Sequence, residues 1–202
     1  MTTSDGQSVE GKRLLLATGV VDVLPEISGL SERWGKTVVS CPYCDGYEIG
    51  GGSIGVLATG PLSVHQASLI ADWGDVTFFT NGKVDLDDAA RVMLARRAVS
   101  IEPDTVASIA GVAPAIEGVR VTDGRLVPIK ALFLTASIRM ASPLAENLGC
   151  AFDDGPVGPI IRTDAWKLTT VLGVYAAGDA ARMPPSITFA SADGVTAAVG
   201  IH

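Results

Sequence analysis

Cys41 and Cys44 stand two residues apart in the run Cys41-Pro42-Tyr43-Cys44-Asp45-Gly46-Tyr47-Glu48. A cysteine pair at that spacing can close and reopen a disulfide, so its chemistry is two-electron exchange with an outside thiol or disulfide. A thiolate beside a partner cysteine and a helix N-terminus forms readily and attacks disulfides. Asp45, directly after the second cysteine, adds a carboxyl group able to protonate a departing thiolate. Zinc would need a second pair of ligands. Cys150, His65 and His202 are badly spaced to supply them, so no metal site is expected. The catalytic candidates are Cys41, Cys44 and Asp45. Cys150, among Leu148, Ala151 and Phe152, reads instead as a small buried hydrophobe.

The elements that position these residues follow from composition and pattern. Hydrophobic residues make up 48% of the 202, charged residues 18% and aromatics only 5%. An apolar content of that kind suits buried parallel strands covered by small-residue helices. A net charge of −7 argues against a phosphate backbone as partner, so no nucleic-acid binding is expected. No apolar run approaches the roughly 18 residues that span a bilayer; the longest candidate, Leu14 to Leu24, is broken by Gly19 and Asp22. The first residues, Met1 to Gly6, show no basic stretch followed by an apolar one. With a close dithiol and no secretion signal, a cytoplasmic location without membrane association is expected.

Along the chain, Val9 to Ala17 ends in a short buried strand closed by Thr18-Gly19, and Ser31 to Lys36 reads as a connector. Val38 to Ser40 leads into the cysteine pair, and Gly50-Gly51-Gly52 reads as a hinge. Ser53 to Ala58 is a strand, followed by a helix over Leu62 to Trp73, with His65 as a packing residue, and a strand over Val76 to Thr80. Leu86 to Ala98 has helical spacing, with Asp85, Asp87 and Asp88 at its dipole-favoured start. Val119 to Val121 and Leu126 to Ile129 flank Asp123-Gly124, a hairpin signal. Ala131 to Ala136 is a buried strand, then a polar, proline-bearing stretch runs through Pro159. Val171 to Ala177 is the last strand, and Ala190 to His202 the last helix. Strand, helix, strand, hairpin, strand is an α/β nucleotide-binding arrangement with an antiparallel insert.

Within it, Ala58-Thr59-Gly60-Pro61-Leu62-Ser63 is a degenerate phosphate-binding turn, with Ala58, Gly60 and Ser63 at the three glycine positions. Glycine at the second position would let the backbone approach a pyrophosphate at the helix start. An ordinary strand-to-helix turn explains the same residues. The end of the next strand, Thr77 to Lys83, carries neither the acidic residue that holds a ribose nor the arginines that hold a 2′-phosphate.

Taken together, Leu16-Ala17-Thr18-Gly19, the Cys41–Glu48 run and Tyr175-Ala176-Ala177-Gly178-Asp179 resemble the thioredoxin reductase family of flavoproteins. The resemblance spans nearly the whole chain in the family's order. It implies a Rossmann-like nucleotide-binding domain, three-layered with an antiparallel insert, inserted into an FAD-binding domain. On that pattern residues 1–48 belong to the split FAD domain and the start of the dithiol segment, 49–137 to the NAD(P)-binding domain, and 138–202 to the rest of the FAD domain. It implies FAD and NADPH or NADH as cofactors. Gly60, Pro61, Leu62 and Ser63 would hold the nicotinamide nucleotide, and Thr18, Gly19, Gly178 and Asp179 the flavin nucleotide. Cys44 would face the flavin, Cys41 would attack the substrate disulfide, and Asp45 would be the acid. The substrate would be a thioredoxin-like protein or a small dithiol or disulfide.

The departures are specific. The family opens with a complete Gly-x-Gly-x-x-Gly turn well before the cysteines, whereas forty residues precede Cys41 and contain none. Pro184-Pro185-Ser186-Ile187-Thr188 lacks the arginine and glutamine often found beside the flavin ring. The missing turn implies an incomplete FAD-binding domain, while the missing 2′-phosphate arginines and the Pro184–Thr188 segment lean toward the branch of small-metabolite dithiol oxidases. A flavin-free nucleotide-binding or interaction module is a further alternative. Val9 to Gly19 and Leu172 to Gly178 are expected in one sheet whose central partner strand is absent. Its apolar edge would draw copies together, most simply as a homodimer.

Overall fold

The computed structural model describes Ser4–His202; Met1 to Thr3, the start of the first expected segment, lie outside the described residues. In chain order the elements are β1 (Leu14–Leu16), β2 (Val20–Val23), β3 (Val38–Val39), α1 (Pro42–Ile49), β4 (Ser53–Leu57), α2 (Leu62–Ile70) and β5 (Asp75–Phe79). Next come α3 (Asp88–Arg96), β6 (Ser100–Glu102), β7 (Val106–Ala110), β8 (Gly118–Val121), β9 (Leu126–Val127) and β10 (Ala131–Leu134). The chain closes with β11 (Ser137–Met140), α4 (Leu144–Asn147), β12 (Phe152–Gly155), β13 (Gly158–Ile161), β14 (Val174–Ala176) and α5 (Ile187–Ile201). Two compact units result: a continuous one, Leu24–Ala136, and a split one made of the segment up to Val23 and Ser137–His202. The division between the units falls after Val23 and after Ala136, and the dithiol helix α1 belongs wholly to the continuous unit.

The continuous unit is built on a parallel sheet in the order β3-β10-β4-β5-β6. Alternate residues of each strand point to opposite faces, and here both faces are buried. Val56, Phe78 and Phe133 pack with Ala67 and Ile70 of α2 and Leu94 of α3. Their neighbours Leu57, Phe79, Leu132 and Leu134 pack with Val106, Ile109, Val119 and Val121 of the antiparallel sheet β7-β8-β9. Helices, parallel sheet and antiparallel insert make the three layers, as the sequence pattern leads one to expect. The hairpin β8–β9 turns at Asp123-Gly124, where the Asp123 carboxylate accepts the Arg125 N–H.

The connector before β3 is anchored by a buried cation. Arg33 is 2% exposed, and donates from Nε to Ala115 O at 2.9 Å, from Nη1 to Gly29 O at 2.6 Å and from Nη2 to Gly111 O at 2.5 Å. The bonds to Gly111 and Ala115 tie the approach to the dithiol onto the loop between β7 and β8, and the bond to Gly29 closes the connector on itself.

In the split unit β1 and β14 pair directly and in parallel, with Leu14, Leu15 and Leu16 opposite Val174, Tyr175 and Ala176. These are the two strands expected to flank a missing partner, and they bond instead to each other. β2 pairs with β11 and β12 with β13, both antiparallel. The proline-bearing stretch read as irregular is this second hairpin; its glycines Gly155 and Gly158 face each other across the turn, and the strands pair by backbone bonds that need no apolar pattern. The core holds Leu16, Met140, Cys150, Ile161 and Ala176, so Cys150 is buried as expected. His65, expected to pack, is exposed on α2.

Replacing the buried Arg33 with Met takes the guanidinium donors away from three carbonyls. Arg33→Met is expected to lower the unfolding free energy by about 2–4 kcal/mol in urea titrations, whereas a conserved midpoint would mean the anchor contributes nothing.

Candidate active site

Cys41 is the N-cap of α1, in extended conformation (φ −108, ψ 113), and Pro42 occupies the first helical position. Proline suits that position because its missing N–H has no helical partner there. The Cys41 carbonyl accepts the N–H groups of Cys44 and Asp45 at 3.2 and 3.1 Å, which closes the first turn and stacks the two cysteines on one side. Gly50, Gly51 and Gly52 then all take positive φ (69, 70 and 77), ending the helix and turning the chain directly into β4. Lys130 Nζ donates to Gly50 O at 3.2 Å at that end.

α1 lies against Trp73. Gly46 faces the indole so closely that a Cβ there would overlap it, and the Tyr43 ring meets it edge-on at 5.5 Å. At the other end Gln66 of α2 donates to Ser40 O at 3.0 Å, fixing the residue before Cys41. Tyr43 and Tyr47 remain 75% and 89% exposed beside the cysteines.

The two thiols are in contact and unequal. The Cys44 S–H donates to Cys41 Sγ at 2.9 Å. That hydrogen bond, followed by partial burial and the negative charge of Cys41, Asp45 and Glu48, pushes the Cys44 thiol up to about 11. A raised thiol pKa means that Cys44 keeps its proton through neutral pH. Asp45 is half-buried, and neither thiol is its hydrogen-bond partner. It lines a cavity of about 280 Å³ with Lys36, Thr37, Glu48, Ile49, Lys130 and Ala131. The structure thus brings Cys41 and Cys44 together and leaves the Asp45 carboxylate on another side of α1.

Gly60, Pro61, Leu62 and Ser63 lie together at the start of α2, between β4 and that helix. The turn is satisfied from within. Thr59 N–H donates to Ser63 Oγ at 3.0 Å, Ser63 N–H to Gly60 O at 3.0 Å, and Thr59 Oγ1 to Thr135 O at 2.7 Å. Ser63 is fully buried, and Pro61 brings no N–H. The backbone donors that cradle a phosphate in an open turn of this type are reduced accordingly.

At the ends of β5 and β6, Thr80 N–H donates to Glu102 O at 3.0 Å. There the fold delivers a cation that sequence order hid: Arg125 reaches Glu102 at 2.8 Å, Asp104 at 2.7 Å and Asp123 at 2.5 Å. The Arg125 guanidinium beside Glu102 holds that carboxyl below the usual carboxylate range. Three carboxylates on one arginine leave this strand end acidic.

In the split unit a cavity of about 230 Å³ is lined by Leu15, Ala17, Gly19, Ala177, Gly178, Asp179, Ala190 and Gly194. It brings together Gly19, Gly178 and Asp179; Thr18 is exposed and not part of the lining. Gly178 has φ +73, and a Cβ there would press on Ala190 Cβ at 3.4 Å. Asp179 Oδ1 is buried with no hydrogen-bond partner among the described residues. The sequence marks Ala190 as the start of the last expected helix but does not mark Gly194; two small residues four apart on one helix face are the signal for such a wall. Among the described residues no cluster could hold a metal ion, and no helix is long and apolar enough to cross a membrane.

A close cysteine pair at a helix start, on a parallel sheet covered by helices and an antiparallel insert, marks a nucleotide-binding class of fold. The pyridine nucleotide-disulphide oxidoreductase family matches residues 1–194, and the chain belongs to that family, whose members use FAD and NAD(P)H. It is similar to the thioredoxin reductase tcpT of Claviceps purpurea, at 36% identity over 86% of this chain and 56% of that protein. Among solved structures it resembles an oxidoreductase from Agrobacterium tumefaciens (45% identity, TM-score 0.88), covering 94% of this chain and 63% of that one. It also resembles HlmI, at 33% identity and TM-score 0.88 over 99% of this chain and 62% of that one. The chain spans 56% and 65% of the length of the first two curated relatives.

Iodoacetamide at neutral pH is expected to label Cys41 ahead of the more exposed Cys44, as read by peptide mass spectrometry. The protonated Cys44 thiol favours the fold up to about 9.0, its ordinary value, and that contribution is lost as pH rises toward about 11. Labelling of Cys44 should rise over the same window. Equal labelling at neutral pH would refute the inequality of the two sulfurs.

Proposed function

We propose that this chain is the dithiol-bearing part of a flavin-dependent disulfide oxidoreductase resembling thioredoxin reductase. Electrons would pass between NAD(P)H or another donor, FAD, the Cys41–Cys44 dithiol and an external disulfide. The observation that carries this reading is the Cys44 S–H donating to Cys41 Sγ at the start of α1. Cys41, as thiolate, attacks one sulfur of the external disulfide; that S–S bond breaks, and the departing thiolate takes a proton. Asp45 is the candidate acid for that proton, once a movement of its side chain brings it within reach. Cys44 gives up its proton and attacks Cys41 Sγ, releasing the second external thiol and leaving a Cys41–Cys44 disulfide. Two electrons have then moved to the substrate. FAD, held by the residues of the split unit, would supply the electron pair that reopens the disulfide.

The residues of the split unit suit the flavin nucleotide. The cavity wall of Gly19, Gly178, Ala190 and Gly194 admits close approach, and the orphaned Asp179 Oδ1 awaits a donor such as a ribityl hydroxyl. An unsatisfied buried acceptor costs about 1–3 kcal/mol, so a ligand that supplies the hydrogen bond recovers it. On this reading the split unit is the FAD side, the continuous unit the nicotinamide side, and the partner a thioredoxin-like protein or a small disulfide.

A second reading is favoured by the nicotinamide side itself. Thr59 and Ser63 close the phosphate turn, and the end of β6 is acidic around Arg125 rather than cationic. Both weaken a 2′-phosphorylated nucleotide site. Thiol–disulfide exchange runs in either direction according to the potentials of the couples, so the same dithiol would serve as an oxidase of a small dithiol, passing electrons onward to oxygen.

Incubation with FAD followed by gel filtration tests both. A retained flavin band, bleached anaerobically by dithiothreitol in the wild type and not in Cys41→Ser, is the expected result; a colourless protein overturns it in favour of a flavin-free module. Faster anaerobic bleaching by a small dithiol than by NADPH selects the oxidase direction. Asp179→Ala is expected to weaken FAD binding while raising the stability of the flavin-free protein by about 1 kcal/mol, a pair of opposite changes that calorimetry and flavin titration would read.

A further inference from the structure

α5 is an apolar helix with little apolar anchorage. Of its residues only Asp193 and Ala197 are buried, while Ile187, Val195 and Val199 are 91%, 65% and 59% exposed. Yet Ala190 and Gly194 of this helix form one wall of the cavity around Asp179. The wall residues are small and offer few dispersion contacts to hold the helix in place. Something else must set the distance between that wall and the turn opposite it.

The one buried ionisable group of the helix makes ionic contacts to two other segments. Asp193 is 2% exposed; its Oδ2 accepts Arg182 Nε at 2.8 Å and its Oδ1 accepts Arg182 Nη2 at 3.1 Å and Lys167 Nζ at 2.8 Å. Arg182 immediately follows the 3-10 turn Gly178–Ala181 that carries Asp179, and its guanidinium lies 4.8 Å from the Phe189 ring centre, back on α5. Lys167, whose side chain is 13% exposed, takes a left-handed backbone (φ 68), and its carbonyl accepts Ala176 N–H of β14 at 3.0 Å. Burial would raise the Asp193 carboxyl, but the hydrogen bonds from Arg182 and Lys167 outweigh it and hold the group below the usual carboxylate range. Asp193 therefore stays ionised between two cations, in a bidentate geometry that fixes orientation as well as distance.

We propose that Asp193 is a positioning residue for the flavin-nucleotide cavity, setting the spacing between the Ala190–Gly194 wall and the Asp179 turn through Arg182, and between α5 and β14 through Lys167. This rests on the reading of that cavity as the flavin site. None of Lys167, Arg182 and Asp193 lines the cavity; the cluster acts by holding two walls whose own side chains are too small to hold each other. Loosening it lets α5 drift from Asp179, and the ligand loses contacts on both sides at once.

The test pairs FAD affinity with the stability of flavin-free protein in the full chain. Asp193→Asn, Arg182→Lys and Lys167→Met are compared with wild type by flavin-fluorescence titration, visible circular dichroism of the bound flavin, and thermal unfolding without FAD. The expected order is Asp193→Asn weakest by about tenfold or more, equivalent to about 1.4 kcal/mol, with Arg182→Lys intermediate because it keeps the charge and loses the fork. The flavin dichroism should change in step. Lower thermal stability with unchanged affinity and dichroism would assign Asp193 to stability alone and overturn the proposal. If Asp193→Asn does not fold, Arg182→Lys decides: weakened binding with altered dichroism supports the proposal, and wild-type values overturn it. A wild type that binds no FAD overturns the flavin reading and this proposal together, whereas FAD binding that all three variants share overturns this one alone.

Discussion

A parallel sheet has no face it can leave to water, and the continuous unit is organised by that requirement. Its strands place one residue toward the helices and the next toward the antiparallel insert, so Val56 and Leu57, Phe78 and Phe79, and Phe133 and Leu134 enter different cores. Only the strand ends are left for chemistry. The chain leaves β3 into the dithiol helix and leaves β4 into α2, and because these strands are parallel, both helix starts lie at the same edge of the sheet. Helix starts at the carboxyl edge of a parallel sheet carry partial positive charge and unused N–H groups. The placement of the cysteines there is thus a consequence of how the sheet is covered.

At that edge two identical side chains become different. Cys41 precedes the helix and Cys44 lies in its first turn, so the hydrogen bond between them has a direction. Asp45 and Glu48 add negative charge on the side of Cys44. A thiol with acceptors and negative charge about it keeps its proton, and the hydrogen bond it donates makes the two sulfurs unequal. The rigid seat for this pair comes from α2 and the indole that follows it, through Gln66 at Ser40 and Trp73 at Gly46.

The polar groups around the other nucleotide-type features divide into satisfied and unsatisfied. The turn of Thr59 to Ser63 and the Arg125 cluster have met their own hydrogen-bonding needs. Asp179 has not. A site whose donors and acceptors are already paired within the protein has to break those pairs to take a ligand, while an orphaned buried acceptor gains from one. That contrast favours a ligand in the split unit over one at the phosphate turn.

Short-range pattern made much of this legible. The Cys-x-x-Cys spacing, the apolar runs before Thr59 and through Leu134, the Asp123-Gly124 hairpin and the helix on either side of Arg91 depend on residues a few positions apart, and the structure has all of them. What pattern could not supply was partnership between distant segments. The direct pairing of β1 with β14, the bonds of Arg33 to Gly111 and Ala115 and the contact of Lys167 with Asp193 each join residues far apart in the chain, whereas the β12–β13 hairpin is local but carries no apolar alternation to mark it. Local sequence determines backbone preference and the chemical groups on offer, because those are set by each residue and its near neighbours. Which of those groups are buried, paired or left facing a cavity is decided only when remote segments pack, because burial and charge pairing are properties of the surroundings and not of the residue.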